Sequence, residues 1–182
     1  MDQGTGWTVV LPVKGLEQAK RRLAPDVGRW RMSLAAAFAA DVVEAALAVG
    51  DVSQVIVVGG EGVGAWAQPR VTQLPDADDL DAAVARGADR ARDESPYGAI
   101  LVVQADLPCL RASDLENLAA AAPAARPGVL ADAEGFGTVA LTLPAGTTLC
   151  TTFGVGSFAR HVRAGAEPID LDAPRLRRDV DT

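Results

Sequence analysis

Cysteine, histidine and aromatic residues are scarce in this 182-residue sequence. Its two cysteines, Cys109 and Cys150, lack the spacing of metal ligands, so we expect reduced, partly buried thiols of a cytosolic protein. The single histidine, His161, has no Ser/His/Asp or metal-ligand constellation around it. A structural or surface role is therefore predicted for His161 rather than a catalytic one.

Long apolar runs are also missing. No stretch approaches the roughly 20 residues that a membrane-spanning helix needs, and the N-terminus, "MDQGTGWTVVLPVKG", lacks the basic region that precedes the apolar core of a secretory signal. The net charge of −7 disfavours a broad nucleic-acid-binding surface. We expect a cytoplasmic protein without a membrane or nucleic-acid partner. The oligomeric state stays open, a homodimer included.

Lysine is scarce as well, and both lysines fall in one segment. Lys14 and Lys20 lie in "VKGLEQAKRRLAP" with Arg21 and Arg22, in an otherwise acidic chain. The segment follows a predicted strand and is neither a Walker A motif nor a GxGxxG fingerprint. It is either the solvated, basic start of a helix or an anion site, and the clustering favours the anion site.

Strand and helix patterns alternate through the first two thirds of the chain. Such alternation predicts right-handed crossovers and a largely parallel sheet in an α/β fold, and the length suits a single domain over residues 1–182. A capping box is predicted at Ser113 and Glu116. The strands are predicted over 7–13, 54–60, 70–74 and 98–105, and the helices over 29–49, 80–94 and 112–122, with a weak helix over 62–68.

The last third departs from this rhythm. Strand patterns at 128–133 and 137–143 flank the short sequence "EGFG", which predicts a late antiparallel element. A short helix is predicted over 156–165, and short strands over 168–171 and 176–180.

Three acidic residues lie at positions where they could bind a metal ion. Asp106 follows the strand at 98–105, and Asp179 and Asp181 belong to the closing "RRDVDT". Magnesium prefers carboxylate oxygens together with substrate phosphates, and in open α/β sheets ligands bind beyond the carboxyl ends of strands. The alternatives are a helix cap at Asp106 and a solvated acidic pair at the terminus.

Two glycine-rich turns provide candidate anion-binding groups. "EGFG" precedes Thr138 at a strand start, and "FGVGS" places Gly154 and Ser157 just before the short helix. Backbone N–H groups at such a position can bind an anion. The alternative is an ordinary N-cap serine in a glycine turn.

Taken in order, five segments resemble one known family. They are "LPVKGLEQAKRRLAP", "QADLP", "GFGTVAL", "FGVGSFARH" and "LRRDVDT", and they span nearly the whole chain. The sequence is similar to the 2-phospho-L-lactate or phosphoenolpyruvate guanylyltransferases of coenzyme F-420 (deazaflavin) biosynthesis. The resemblance implies a nucleotidyltransferase-type, Rossmann-like α/β fold and the transfer of GMP from GTP to the phosphate of a small three-carbon acid, with release of pyrophosphate.

The resemblance also implies roles for individual residues, with magnesium as the cofactor. It assigns metal binding to Asp106, Asp179 and Asp181. It assigns binding of the phosphorylated acid to Thr138, Gly154 and Ser157, and contacts with phosphates to Lys14, Lys20 and Arg21.

The sequence departs from the family pattern at Asp81, where the family often has Asn. Two alternatives stay open. One is a molybdenum-cofactor guanylyltransferase, although the glycine-rich "LxGGxSxRMGxxK" opening of those enzymes is absent here. The other is a nucleotide-binding module without catalytic activity. The residues leave open the choice among phosphoenolpyruvate, 2-phospho-L-lactate and 3-phosphoglycerate.

Overall fold

The computed structural model describes residues 6–13, 31–60 and 68–177, and its strands form one mixed sheet of seven. The strands are β1 Trp7–Val13, β2 Val52–Gly59, β3 Val71–Leu74, β4 Ala99–Val103, β5 Gly128–Ala131, β6 Thr138–Leu143 and β7 Glu167–Pro168. The helices are α1 Arg31–Leu47, α2 Leu80–Glu94, α3 Ala112–Ala120 and α4 Ser157–Arg163. The strand order across the sheet is β3-β2-β1-β4-β6-β5-β7.

The first half of the sheet is parallel, as the alternation of strands and helices predicts. β1 pairs in parallel with β2 on one side and with β4 on the other, and β3 extends β2 in the same direction. Buried parallel strands are near-continuous apolar runs, and in β1 every residue from Thr8 to Val13 is buried. The carboxyl ends of these four strands therefore lie at one edge of the sheet.

The predicted late antiparallel element is β6. It runs antiparallel to both of its neighbours, β4 and β5. Since β6 runs the opposite way, its first residue, Thr138, lies at the same edge as the carboxyl ends of β4 and β5. We call this edge, formed by the ends of β1 to β5 and the start of β6, the carboxyl edge.

Helices cover both faces of the sheet and divide the core into two layers. In β1, Val9 and Leu11 belong to the layer that holds α1 and α3, whereas Val10 belongs to the layer that holds α2. Alternate residues of a strand face opposite sides, so one short run supplies both layers. Gly87 lets α2 approach the sheet closely, because a Cβ there would lie 2.4 Å from Val10 Cγ1. A larger residue at Gly87 would therefore force either the helix or the Val10 side chain to shift.

Several predicted boundaries need correction. The capping box is wrong, because α3 begins after Arg111, and Asp114 rather than Glu116 accepts the N–H of the capping residue. The predicted strand at 168–171 is the two-residue β7. Leu176 and Arg177 lie in a turn and a bend rather than a strand. The rest of the 176–180 prediction, and the 62–68 helix apart from its last residue, fall outside the described residues.

Within the described part of the chain, no helix has the length and apolar character that crossing a membrane requires.

Candidate active site

The segment that leads to Asp106 is joined to Thr138 at the carboxyl edge. Gln104 Nε2 donates to the carbonyl oxygen of Thr138 at 2.6 Å, and the Gln104 N–H donates to the Val139 carbonyl at 3.2 Å. Asp106 follows two residues later and is half-buried. The predicted position of Asp106, just beyond a buried parallel strand, is therefore confirmed, while its metal-binding role stays a prediction.

Thr138, Gly154 and Ser157 come together, although they lie up to 19 positions apart in the chain. Ser157 Oγ lies 3.1 Å from Thr138 Oγ1, and the Ser157 N–H donates to the Gly154 carbonyl at 3.0 Å. The alternative of an N-cap serine is wrong, because Gly156 caps α4 in a left-handed conformation with φ of 72°. The Ser157 hydroxyl is thus directed to β6 instead of to the first turn of its own helix.

His161 is the buried centre of this cluster. Its side chain is fully buried, its Nδ1 lies 2.9 Å from Thr138 Oγ1, and the Thr152 N–H donates to its Nε2 at 3.0 Å. Because Nε2 accepts a hydrogen bond, we assign the proton of the neutral ring to Nδ1, which then donates to Thr138. Burial lowers the pKa of His161, with a further decrease from Arg160 and an opposing effect of Asp81.

The surface alternative predicted for His161 is wrong because the residue is fully buried, and its structural role stays a prediction. The sequence does contain one relevant spacing: His161 follows Ser157 by four residues, which puts both on one face of a helix. Burial of that face against β6 is a tertiary feature, so the spacing alone cannot identify the contact with Thr138.

Two further side chains hold residues 152–156, which we call the 152–156 turn. Asp81, in the first turn of α2, accepts the N–H of Phe153 at 3.0 Å. The Arg160 guanidinium donates to the carbonyl oxygens of Thr152 and Phe153, each at 3.0 Å, and to that of Val155. The departure from the family pattern at Asp81 therefore falls on a residue that ties α2 to this turn.

The C-terminal segment also reaches the carboxyl edge. Arg175 donates to both oxygens of the buried Asp114 carboxylate, at 2.8 and 2.6 Å, and Leu176 is fully buried. Burial tends to raise the pKa of Asp114, but the bonds from Arg175 and from the Arg111 N–H outweigh it and lower that pKa. The Arg177 carbonyl then accepts the N–H of Ala133, just beyond the end of β5.

The structure does not describe the remaining predicted site residues. Lys14, Lys20, Arg21, Asp179 and Asp181 lie outside the described residues. Within the described ranges there is no group of three or more His, Cys, Asp or Glu side chains that could hold a metal ion. Asp106 is therefore the one predicted metal ligand whose position the structure gives.

Both cysteines are free, as expected for reduced thiols, but the prediction that they are partly buried is wrong. Cys109 and Cys150 are exposed.

The sheet order, its single antiparallel strand and the cluster at the carboxyl edge define a nucleotidyltransferase-type α/β fold. The chain is similar to the structure of a nucleotidyl transferase from Methanothermobacter, with a TM-score of 0.68 and 19% identity over 98% of this chain and 93% of that one. At the level of family, residues 7–171 match the model described as "Guanylyl transferase CofC like", and the chain belongs to that family.

Curated relatives agree with the family assignment. The phosphoenolpyruvate guanylyltransferase of Thermomonospora curvata is 40% identical over 97% of this chain and 79% of its own length. The enzyme of the same name from Streptomyces coelicolor is 42% identical over 97% of this chain and 86% of its own length. The family and fold predicted from the ordered segments are thus confirmed, which argues against the molybdenum-cofactor alternative.

Proposed function

We propose that this guanylyltransferase moves GMP from GTP to the phosphate of phosphoenolpyruvate and releases pyrophosphate, as a step of coenzyme F-420 biosynthesis. The names of the relatives favour phosphoenolpyruvate over 2-phospho-L-lactate and 3-phosphoglycerate. The observation that carries the proposal is the meeting of Thr138, Gly154 and Ser157 at the carboxyl edge, beside the segment that ends in Asp106.

The proposed reaction depends on the positioning of its two substrates more than on proton transfer. A phosphate oxygen of phosphoenolpyruvate attacks the α-phosphorus of GTP, a new P–O–P bond forms, and the bond to the β-phosphate oxygen breaks, so that pyrophosphate leaves with its electron pair. A substrate phosphate is already ionised at neutral pH, so no general base is required. This agrees with a buried, neutral His161, which is fully engaged by Thr138 and Thr152.

For magnesium we propose Asp106, Asp179 and Asp181 as ligands. Carboxylate oxygens are the donors that magnesium prefers, and bound magnesium would offset the negative charge of the phosphates. The Arg177 carbonyl is held at the carboxyl edge by Ala133, and Asp179 follows two residues later, within about 7 Å of extended chain. The carboxylate chemistry of this donor set suits magnesium.

For the triphosphate we propose Lys14, Lys20 and Arg21. Lys14 directly follows Val13, the last residue of β1, and thus follows a strand end at the carboxyl edge. Cations at this edge would neutralise phosphate charge that rearranges when the α-phosphorus is attacked.

For the acid substrate we propose the 152–156 turn together with Thr138 and Ser157. The Thr138 and Ser157 side chains are nearly fully buried, whereas Gly154 and Val155 are exposed. The turn backbone would then contact the substrate, and the two hydroxyls would support it from beneath.

We place the reaction in the cytoplasm, with no nucleic-acid or membrane partner, and the oligomeric state, a homodimer included, stays open.

The test is a pyrophosphate-release assay that crosses GTP, ATP and CTP with the three phosphorylated acids in the presence of magnesium. We expect release to be fastest with GTP and phosphoenolpyruvate. A chain that binds GTP but releases no pyrophosphate with any acid would be a nucleotide-binding module instead. A preference for another acid would keep the reaction class and change the substrate.

A further inference from the structure

The 152–156 turn is fastened through two consecutive backbone N–H groups. That of Thr152 donates to His161 Nε2 at 3.0 Å, and that of Phe153 donates to Asp81 Oδ1 at 3.0 Å. The two acceptors come from different helices, α4 and α2. The turn is thereby tied to two helices through His161 and Asp81, which lie 80 positions apart in the sequence.

A third contact fixes the opposite side of the turn. The Arg160 guanidinium donates to the carbonyl oxygens of Thr152 and Phe153, and the Phe153 ring packs edge-on against the His161 ring at a centroid distance of 5.1 Å. The N–H and carbonyl groups of both Thr152 and Phe153 are therefore engaged by side chains. Such a turn has little freedom to adjust to a ligand, so its geometry is set before binding.

The same histidine also holds the two hydroxyls. His161 Nδ1 contacts Thr138 Oγ1, which in turn contacts Ser157 Oγ. One imidazole therefore connects the turn on one side to the hydroxyl pair on the other. A change at either ring nitrogen would alter a different half of the cluster.

We infer that His161 and Asp81 are positioning residues that set the geometry of the turn for the phosphorylated acid. The inference deepens the proposed function and rests on its assignment of Thr138, Gly154 and Ser157 to acid binding. Asp81 joins this turn to α2, and the loop before α2 follows β3 at the carboxyl edge. Asp81 thus ties the acid-binding turn to a second element that starts at that edge.

The variants separate the two ring nitrogens. In His161→Gln an amide oxygen can reach the place of Nε2 and accept the Thr152 N–H, whereas in His161→Asn the amide nitrogen can replace Nδ1 but nothing reaches Thr152. Asp81→Asn keeps an oxygen for the Phe153 N–H, and Asp81→Ala removes it. Asp89→Ala is the matched control, because Asp89 is an exposed acid on the same helix.

We expect His161→Asn and Asp81→Ala to raise the KM for phosphoenolpyruvate about tenfold, which is the effect of about one lost hydrogen bond. The KM for GTP should change less than about threefold, Asp81→Asn should retain most of the affinity for the acid, and the Asp89→Ala control should stay close to wild type. His161→Gln keeps the bond to Thr152 but loses the one to Thr138, so we expect its KM for the acid to lie between those of wild type and His161→Asn. Folded His161→Asn and Asp81→Ala enzymes with an unchanged KM for the acid would overturn the inference. Equal increases of both KM values would also overturn it, because they would indicate a merely structural role.

Nitrogen-15 NMR of the wild-type protein gives a readout independent of activity and of variant folding. We expect His161 to carry its proton on Nδ1 and the amides of Thr152 and Phe153 to exchange slowly with solvent. A proton on Nε2, or fast exchange of both amides, would overturn the inference. Wild-type protein that releases no pyrophosphate would contradict the proposed function, whereas active wild type with unaffected variants would contradict this inference alone.

Discussion

Arg175 donates two hydrogen bonds to the Asp114 carboxylate, at 2.8 and 2.6 Å. The pair joins the C-terminal segment to the start of α3, and the Arg177 carbonyl reaches Ala133 at the carboxyl edge two residues later. The pKa of Arg175 is raised by its bonds to Asp114. The pair therefore fixes the C-terminal segment, as far as Arg177, at the carboxyl edge, where Asp106 follows the end of β4.

Loss of this pair should affect turnover as well as stability. We expect Arg175→Met and Asp114→Asn to lower kcat by about tenfold and to lower the midpoint of thermal unfolding. Because the Arg175 side chain is 40% exposed, salt should weaken the pair. Glu116→Gln, an exposed site on the same helix, is the control. Unchanged kcat in folded Arg175→Met would show that the pair does not position the terminal acids.

Asp106→Asn and Asp179→Asn should each nearly abolish turnover while leaving the fold intact. Each change removes the negative charge of a proposed magnesium ligand and keeps the side-chain volume. The measurement is a magnesium titration of pyrophosphate release, with circular dichroism to check folding. Near wild-type activity of either variant at limiting magnesium would contradict its role as a ligand.

Ser157→Ala should raise the KM for phosphoenolpyruvate more than that for GTP. The buried hydroxyl contacts Thr138 Oγ1, and its removal deprives Thr138 of one partner beneath the 152–156 turn. Steady-state kinetics with each substrate varied in turn measures the effect. A raised KM for GTP together with an unchanged KM for the acid would reassign this turn to the nucleotide.

Lys14→Ala should lower kcat/KM for GTP by at least about tenfold, or roughly 1.4 kcal/mol of transition-state stabilisation. Lys14→Arg should restore activity only in part, because a planar guanidinium replaces a compact ammonium. The kinetics are measured with saturating phosphoenolpyruvate. Unaltered kinetics in Lys14→Ala would indicate a solvated basic segment instead of a phosphate site.

Because of His161, the free energy of unfolding should fall when the pH is lowered. Its native pKa lies below the unfolded value of about 6.5, so its contribution is fully present above pH 6.5 and is lost as the pH falls below it. The slope should not exceed about 1.4 kcal/mol per pH unit. The lowered pKa of Asp114 acts in a separate window, below about pH 4. Urea unfolding of wild type and His161→Gln at pH 7.5 and 5.5 isolates the effect. An equal loss of unfolding free energy in the two proteins between these pH values would contradict it.

Much of the fold could be predicted from the sequence because apolar residues recur with different periods in strands and in helices. The bounds of β1 and α2 agree with the predicted ones, and the glycine-flanked "EGFG" identified the antiparallel pair. The capping-box prediction failed because α3 begins after Arg111, which places Asp114 rather than Glu116 at the third helical position. Arg175 binds the Asp114 carboxylate from 61 positions away in the sequence, and no local pattern predicts this contact.

The site was predictable only in part, for a similar reason. The glycine turns pointed to Thr138, Gly154 and Ser157, and the structure brings them together. The supporting contacts of His161 and Asp81 join elements that are distant in the sequence. The segment "FGVGSFARH" ends at His161 but does not show which residues it contacts. A buried histidine and an exposed one look alike in a sequence until the packing of its helix is known.

The central claim concerns the bond that forms, so phosphorus-31 NMR of the reaction mixture tests it most directly. With GTP, phosphoenolpyruvate and magnesium, the account predicts pyrophosphate in equal amount to a product whose two phosphorus atoms are mutually coupled, one from the α-phosphate of GTP and one from phosphoenolpyruvate. The Asp106→Asn protein should give neither. Pyrophosphate formed together with free GMP, without the coupled pair, would contradict guanylyl transfer to the acid.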